Sequence, residues 1–549
     1  MSNTRPDSSQ VVFQPSGTGA VATDVQGKLR ESVSVLDFGA VGDGVVDDTA
    51  AIQDAFDALQ ENQTLVFSGL FKTNGVITIS TSRIGVHFDN ARFYVGDTGT
   101  PGVTVSGATG IIGYHFNQIE KVQITGSAEF IGQGTSGLTS LLGVYFDTCT
   151  DLSCPAFMRF ETMAIGRGMR DCIRSSFGDT VGNDMNGLQT FEEPPTNNAG
   201  SVEVITGCSF SRFGDVVAYN NEKPARYLSV GTGAPDNTAC TFGSTICDGV
   251  DVSPTTALAL QIRSALDCSF GPVVANNLTA ALTIQQYNTD AAWSINRVFI
   301  ASVTGPFPST AASVDAVLDM STTSTNPIGS VTIGSIDANC SGEHGIFCTS
   351  GNLTINSAKL QGSAGRLIST SNASGTGDVT VSIGTLTING HTSGNETIRI
   401  GKGSTLHIDH INVTEGVTTT GVALVRYFSA VGTGAFNGVL VNSLRNSQGS
   451  ASNNYNYFFY DDSATNPFTA WYIGHVYGDA VAAHMFCDNR DFWIRRSNYF
   501  SANFTLLAEA YQVGDILWDS NAAAGGPPGW YCVTAGSPGT WKAMANLAA

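Results

Sequence analysis

At 549 residues the chain is too long for one ordinary hydrophobic core, and its composition is too even for several distinct ones. Sixty-two glycines (Gly 62), 42% hydrophobic residues and only 13% charged residues point to an all-β chain that lengthens without thickening. A net charge of −20 excludes the basic face that nucleic acid or an anionic membrane would require of this chain.

The first ten residues, MSNTRPDSSQ, are polar and lack the charged-then-apolar layout of a signal peptide. No stretch of about 18 apolar residues occurs, so no membrane span is expected. Residues 33–59, VSVLDFGAVGDGVVDDTAAIQDAFDAL, predict a strand, a glycine-rich hairpin and a short helix. Asp43, Asp47 and Asp48 suit turn and capping roles, and their spacing is not that of a calcium loop. Ile52, Ala55, Phe56 and Leu59 then give the helix one apolar face.

This segment, with the preceding FQPSGTGAVATDVQGKLRE (13–31), resembles the start of phage tailspikes and related pectate-lyase-like proteins. The resemblance implies an all-β, right-handed parallel β-helix whose open end is covered by the short N-terminal helix, assembled as a homotrimer. It also implies that residues 1–32 connect to the virion, directly or through another tail component.

Downstream, two repeats support a solenoid. CIRSSFGDTV (172–181) and CSFSRFGDVV (208–217) align 36 residues apart, and Phe242-Gly243 and Phe270-Gly271 continue the series. The cysteines, 11 in total, include no C-x-x-C, so small core fillers stacked along the interior are expected rather than disulfides or a metal site. Further on, VFIASV (298–303), VTIGSI (331–336), LTINSA (353–358), VSIGTL (381–386) and LHIDHI (406–411) share one pattern at spacings of 33, 22, 28 and 25 residues. Coils of fixed cross-section joined by loops of variable length produce that signature.

The repeat register also brings acidic residues into file. Asp179 and Asp215 would stack at one coil rise, about 5 Å. Asp184 and Asp248 would lie about two rises apart, near the 6.5–9.5 Å that inverting glycoside hydrolysis uses, whereas a retaining pair is nearer 5 Å. Two long insertions, residues 187–200 and 221–238, would wall a groove beside them and carry Glu192, Glu193, Glu222, Lys223, Arg226 and Tyr227. Glu222 is the expected general acid, with Asp184, Asp215 or Asp248 as base. Arg226, Tyr219, Tyr227, Lys223 and Glu193 are the expected substrate contacts. No cofactor and no metal is expected. The eight histidines do not cluster.

Residues 446–508 are dense in Tyr and Phe and would close the solenoid and contribute to the subunit interface. Residues 509–549 carry Trp518, Trp530 and Trp541 between Gly and Pro turns, the pattern of a small C-terminal β-module. The solenoid itself would occupy 33–445. The resemblance then implies a virion tail protein that binds a bacterial surface polysaccharide, capsule or O-antigen, and hydrolyses its glycosidic bonds. A lyase of the same fold, cutting beside a uronic acid, is one alternative. A non-catalytic receptor-binding tail protein is another.

Overall fold

The computed structural model describes residues 6–96, 104–105, 108–109, 111–132, 141–161, 165–183, 185, 201–219, 225–229, 236–249, 258–276, 278, 280–286, 294–306, 316–322, 327–340, 343–362, 365–371, 378–391, 395–415, 423–427, 438–446, 457–461, 471–478, 484–486, 492–497, 516–518, 529–534 and 540–545. The chain divides into two compact units, Met1–Pro306 and Phe307–Ala549.

In the first unit a short 3₁₀ helix, Val35–Phe38, follows the strand Ser32–Ser34 and is closed by a capping box between Ser34 and Asp37. The expected glycine hairpin is instead a turn and a strand, Asp43–Asp47, parallel to Leu70–Thr73. Asp43 accepts the N–H groups of Val45 and Val46, and Asp47 accepts the N–H and hydroxyl of Thr49 at the helix start. Buried Asp48 reaches back to the N–H groups of Val41 and Gly42, fixing the glycine turn. The helix Thr49–Ala58 buries Ile52, Ala55 and Phe56, and the Phe56 ring packs against Phe67 and Phe116. A phenylalanine cluster that would otherwise face water is thereby covered.

The body of this unit is a parallel β-helix. One ladder, the wall, stacks Ile77–Ile79, Ile111–Asn117, Leu141–Asp147, Ile165–Arg170, Ser201–Thr206, Arg226–Ser229, Leu258–Ile262 and Ala280–Gln286, each parallel to the next. The other ladder is split by a bend into short pairs of strands, such as Arg212–Phe213 and Val216–Tyr219. Its inward side carries Phe177, Phe213, Phe242 and Phe270, stacked face to face with centroids 5.2, 4.8 and 4.4 Å apart. The repeated Phe is therefore a column of rings, one per coil.

The cysteines are buried as expected, and those of the described residues are free thiols. Those of the repeat stand in two columns rather than one, Cys149, Cys172 and Cys208 in the first and Cys240 and Cys268 in the second. Thr238 pairs with Ser209 and Thr241 with Arg212, so Asn237 replaces Cys208 in the next coil while Cys240 stands over Ser211. Asn237 accepts the Cys208 N–H through its side chain, filling the place of a thiol with a hydrogen bond.

The second unit repeats the design. Ser330–Cys340, Asn352–Gly362, Val379–His391, Ser404–Glu415 and Gly438–Asn446 form one parallel ladder, in which Val331, Leu353, Val381, Leu406 and Val439 are in register. The first four carry the repeats read at 331, 353, 381 and 406 in the sequence, and Gly438–Asn446 extends them. Trp471–Gly478 and Phe492–Ser497 add to the same ladder, so parallel pairing runs on through the aromatic-rich region. Ile516–Trp518, Gly529–Thr534 and Thr540–Ala543 form a three-stranded antiparallel module.

Candidate functional site

The Phe-Gly-Asp repeat builds a turn that joins coils. The Asp179 carboxylate accepts the N–H of Asp215 at 2.9 Å, and the Asp215 carboxylate accepts the N–H of Ser244 at 2.6 Å. The glycine between is required by space: a Cβ at Gly214 would lie 2.5 Å from Asp179 Oδ1, and one at Gly243 would lie 2.4 Å from Asp215 Oδ1. Asp179 and Asp215 therefore stack as expected, and their carboxylates bond the next coil.

Asp215 and Asp248, two of the alternative bases, do not share one place in the fold. Val216 is in register with Thr245 and Tyr219 with Asp248, so the two carboxylates sit at opposite ends of their strands, about 13 Å apart along the strand direction. The partner of Asp248 in the preceding coil is Tyr219, which is half exposed, and in the coil before that, Asn183. From these three positions the chain leaves the split ladder, returning at Ser201, Arg226 and Leu258 in the wall. Asp184, Glu192, Glu193, Glu222 and Lys223 lie outside the described residues.

Arg226 and Tyr227 are not on a loop. They belong to the wall strand Arg226–Ser229 and are fully buried, which removes them as direct contacts of a polymer at the surface. Arg226 points inward, where it donates to Glu203 and to the carbonyls of Gly214 and Gly243 and lies over the Phe242 ring. Glu203 is shared with Arg167, which lies over Phe177. Burial pushes the Glu203 carboxyl up, but the two guanidiniums outweigh it and hold it below the usual carboxylate range. The expected groove-walling loop is therefore a wall strand from Arg226 on, because an opposite charge one coil away, at Glu203, lets arginine be core.

With Arg167, Glu203 and Arg226 facing in, the alternate wall residues face out. That outward side carries His115, Tyr145, Asp147 and Arg170 on consecutive coils. Tyr145 lies flat over Gly168, where a Cβ would be 2.6 Å from its ring. Arg170 holds Asp147 with two bonds, Nε to Oδ1 at 2.9 Å and Nη2 to Oδ2 at 2.5 Å. His115 Nε2 lies 3.8 Å from Asp147 Oδ2, beyond hydrogen-bond reach. Burial pushes the Asp147 carboxyl up, yet His115 and Arg170 together hold it below its ordinary value. Asp171, next in the chain, is shifted the other way, first by burial and then by the Asp147 charge, against the pull of Arg170. No motif in the sequence marked these residues. The in-register pairing of Asp147 with Arg170 exists only once the coils are stacked.

No protein-family model matches the chain, and no curated protein matches it. Among solved structures, a double mutant of the tailspike protein of E. coli bacteriophage HK620 is similar at 11% identity, covering 85% of this chain and 84% of that chain, with a TM-score of 0.47. A double mutant of the same tailspike in complex with a pentasaccharide is similar at 11% identity, over 85% and 84%, with a TM-score of 0.44. The HK620 tailspike in complex with a pentasaccharide is similar at 12% identity, over 86% and 82%, with a TM-score of 0.42.

Proposed function

We propose that the protein is a tailspike-type depolymerase, a homotrimer of the virion tail that binds a bacterial surface polysaccharide and hydrolyses its glycosidic bonds. The observation that supports this most is the pairing of Tyr219 with Asp248: an exposed aromatic ring and a carboxylate in register on adjacent coils of a rigid scaffold. An aromatic face suits a sugar ring, and paired carboxylates suit acetal hydrolysis without a cofactor. Glu222, three residues beyond Tyr219, is the proposed general acid and Asp248 the proposed base, with Asp184 as the carboxylate of an earlier coil. Lys223 and Glu193 remain the proposed polar contacts of the polymer.

The test is incubation of the purified protein with a panel of capsular polysaccharides and O-antigens, followed by size analysis and identification of the new chain ends. Shortened polymer with plain reducing ends is expected. An unsaturated, ultraviolet-absorbing end would replace hydrolysis by elimination, and unchanged polymer length with retained binding would leave a receptor-binding protein. Glu222→Gln and Asp248→Asn should each lower kcat about 10²–10⁴-fold while binding persists.

A further inference from the structure

We propose that the corner of the first unit formed by Ile173, Phe210, Ala239 and Leu266 is a contact surface for further copies of this chain. The inference rests on the homotrimer of the reading above and names the part of the chain that meets its partners.

Four turns lead from the wall to the split ladder with five residues each, 118–122, 148–152, 171–175 and 207–211. In the last of them Cys208 and Ser211 are buried, so Ser209 and Phe210 form the tip. The tips stack from coil to coil, with Thr150, Ile173, Ser209, Thr238 and Leu266 bridging each to the next. The residue after each of these is left-handed: Asp151, Arg174, Phe210, Ala239 and Asp267 have φ from 50° to 56°.

Phe210 is the exception in this file on two counts. Its ring is 66% exposed, and a bulky side chain in the left-handed region is strained. The backbone is held there by the coil above, since the Phe210 N–H donates to the Thr238 carbonyl at 2.9 Å. Asp, Arg and Ala at the equivalent places show that the turn itself needs no ring. Ile173, 38% exposed, lies one coil before Phe210, and the half-buried Leu266 lies two coils after it. The apolar stretch therefore covers three coil rises, about 14 Å.

The charges at both ends of that stretch are matched within the corner. Arg174 holds Asp151 with two bonds, Nε to Oδ1 at 2.8 Å and Nη2 to Oδ2 at 3.2 Å. Arg297 likewise holds Asp267 through both nitrogens, Nη2 to Oδ2 at 2.7 Å. Lys121 Nζ lies 3.1 Å from Glu120 Oε1. An apolar centre rimmed by paired charges is the anatomy of a protein contact.

The charge balance selects a second copy as the occupant. The chain carries a net −20, so copies repel wherever their acidic surfaces meet. At these tips Glu120, Asp151 and Asp267 are cancelled by Lys121, Arg174 and Arg297. The corner is also convex, whereas a small ligand is held in a concavity. Three convex corners can meet about a threefold axis, each covering the exposed ring of another.

Asn tolerates the left-handed conformation, so Phe210→Asn relieves the strain and keeps the fold, with circular dichroism as the control. Sedimentation of the full-length chain over a dilution series should show a wild-type trimer. Phe210→Asn should raise its dissociation constant about 10–100-fold. A bismaleimide, each ring taking one thiolate across its double bond, should join two copies of Phe210→Cys into a band of twice the mass on a denaturing gel. Tyr219→Cys, at the other end of the split ladder, should stay unlinked. A wild-type dissociation constant in Phe210→Asn, or an unlinked Phe210→Cys in a trimeric protein, overturns the contact and leaves the trimer standing. Weaker polysaccharide binding by Phe210→Asn with unchanged association gives the corner to sugar and overturns the contact as well. A wild type that is monomeric at every concentration overturns both the contact and the trimer.

Discussion

Arg226 and Glu203 meet inside the coil, Nε 2.9 Å from Oε2, at positions directly in register on adjacent wall strands. With Arg167 on the other side, one carboxylate serves two guanidiniums, and all three side chains are without solvent exposure. Replacing Glu203 by Gln leaves the two cations buried and uncompensated. Such a change costs about 3–5 kcal/mol, read as a lowered urea midpoint with an unchanged slope. Replacing all three residues by apolar ones of similar volume should cost less than the single substitution.

Acid should loosen the second unit through Glu396. Burial raises its pKa, but the Arg366 hydrogen bond and the nearby Arg399 prevail and bring it to about 2 from an ordinary 4.5. A group depressed on folding stabilises above its unfolded value and loses that contribution as pH falls through its folded value. The contribution, about 3 kcal/mol, is therefore complete above pH 4.5 and fades toward pH 2. Glu396→Gln should flatten the pH dependence of the unfolding midpoint across that window.

Gly214→Ala tests the coil-joining turn. Its new methyl would press on the Asp179 carboxylate at 2.5 Å and on the Gly178 carbonyl carbon at 2.6 Å, both held by the preceding coil. A loss of about 1–3 kcal/mol is expected in thermal or urea unfolding.

Phe213 stacks on Phe177 and on Phe242, with interplanar angles of 8° and 10°. Phe213→Ala removes the middle of that column and should cost about 3–5 kcal/mol in urea unfolding. Phe213→Leu, which retains most of the volume, should cost less.

Thiol reagents should find the native protein unreactive. Burial raises the thiols of Cys154, Cys172, Cys247, Cys340 and Cys348, and ten cysteines are buried and unpaired. Titration with a chromogenic disulfide should report at most Cys487 before denaturation and all 11 cysteines after it.

The regular parts of the fold were legible because their signals are local. Alternating apolar residues in VTIGSI and its repeats stack in the register the spacing implied, and the four residues the helical periodicity selected are buried, Ile52, Ala55 and Phe56 within the helix Thr49–Ala58 and Leu59 at its end. What the chain did not reveal depends on partners one coil away. Arg226 reads as a loop residue until Glu203 is beside it, and nothing marks Asp147 until Arg170 stacks on it. The change from one cysteine column to another is legible as a shift from five residues before the Phe (Cys172, Cys208) to two (Cys240, Cys268). The Phe-anchored repeat sets Asn183, Tyr219 and Asp248 at equivalent places, and the ladder aligns them.

The ring column and the file of Asp-to-backbone bonds keep the same geometry however many residues separate one strand from the next. Length and chemistry of the intervening segments are thus decoupled from the stability of the shaft. Those segments can be exchanged without rebuilding the coils, and a chimera that grafts a foreign stretch between Asn183 and Ser201 inherits a ready-made pedestal.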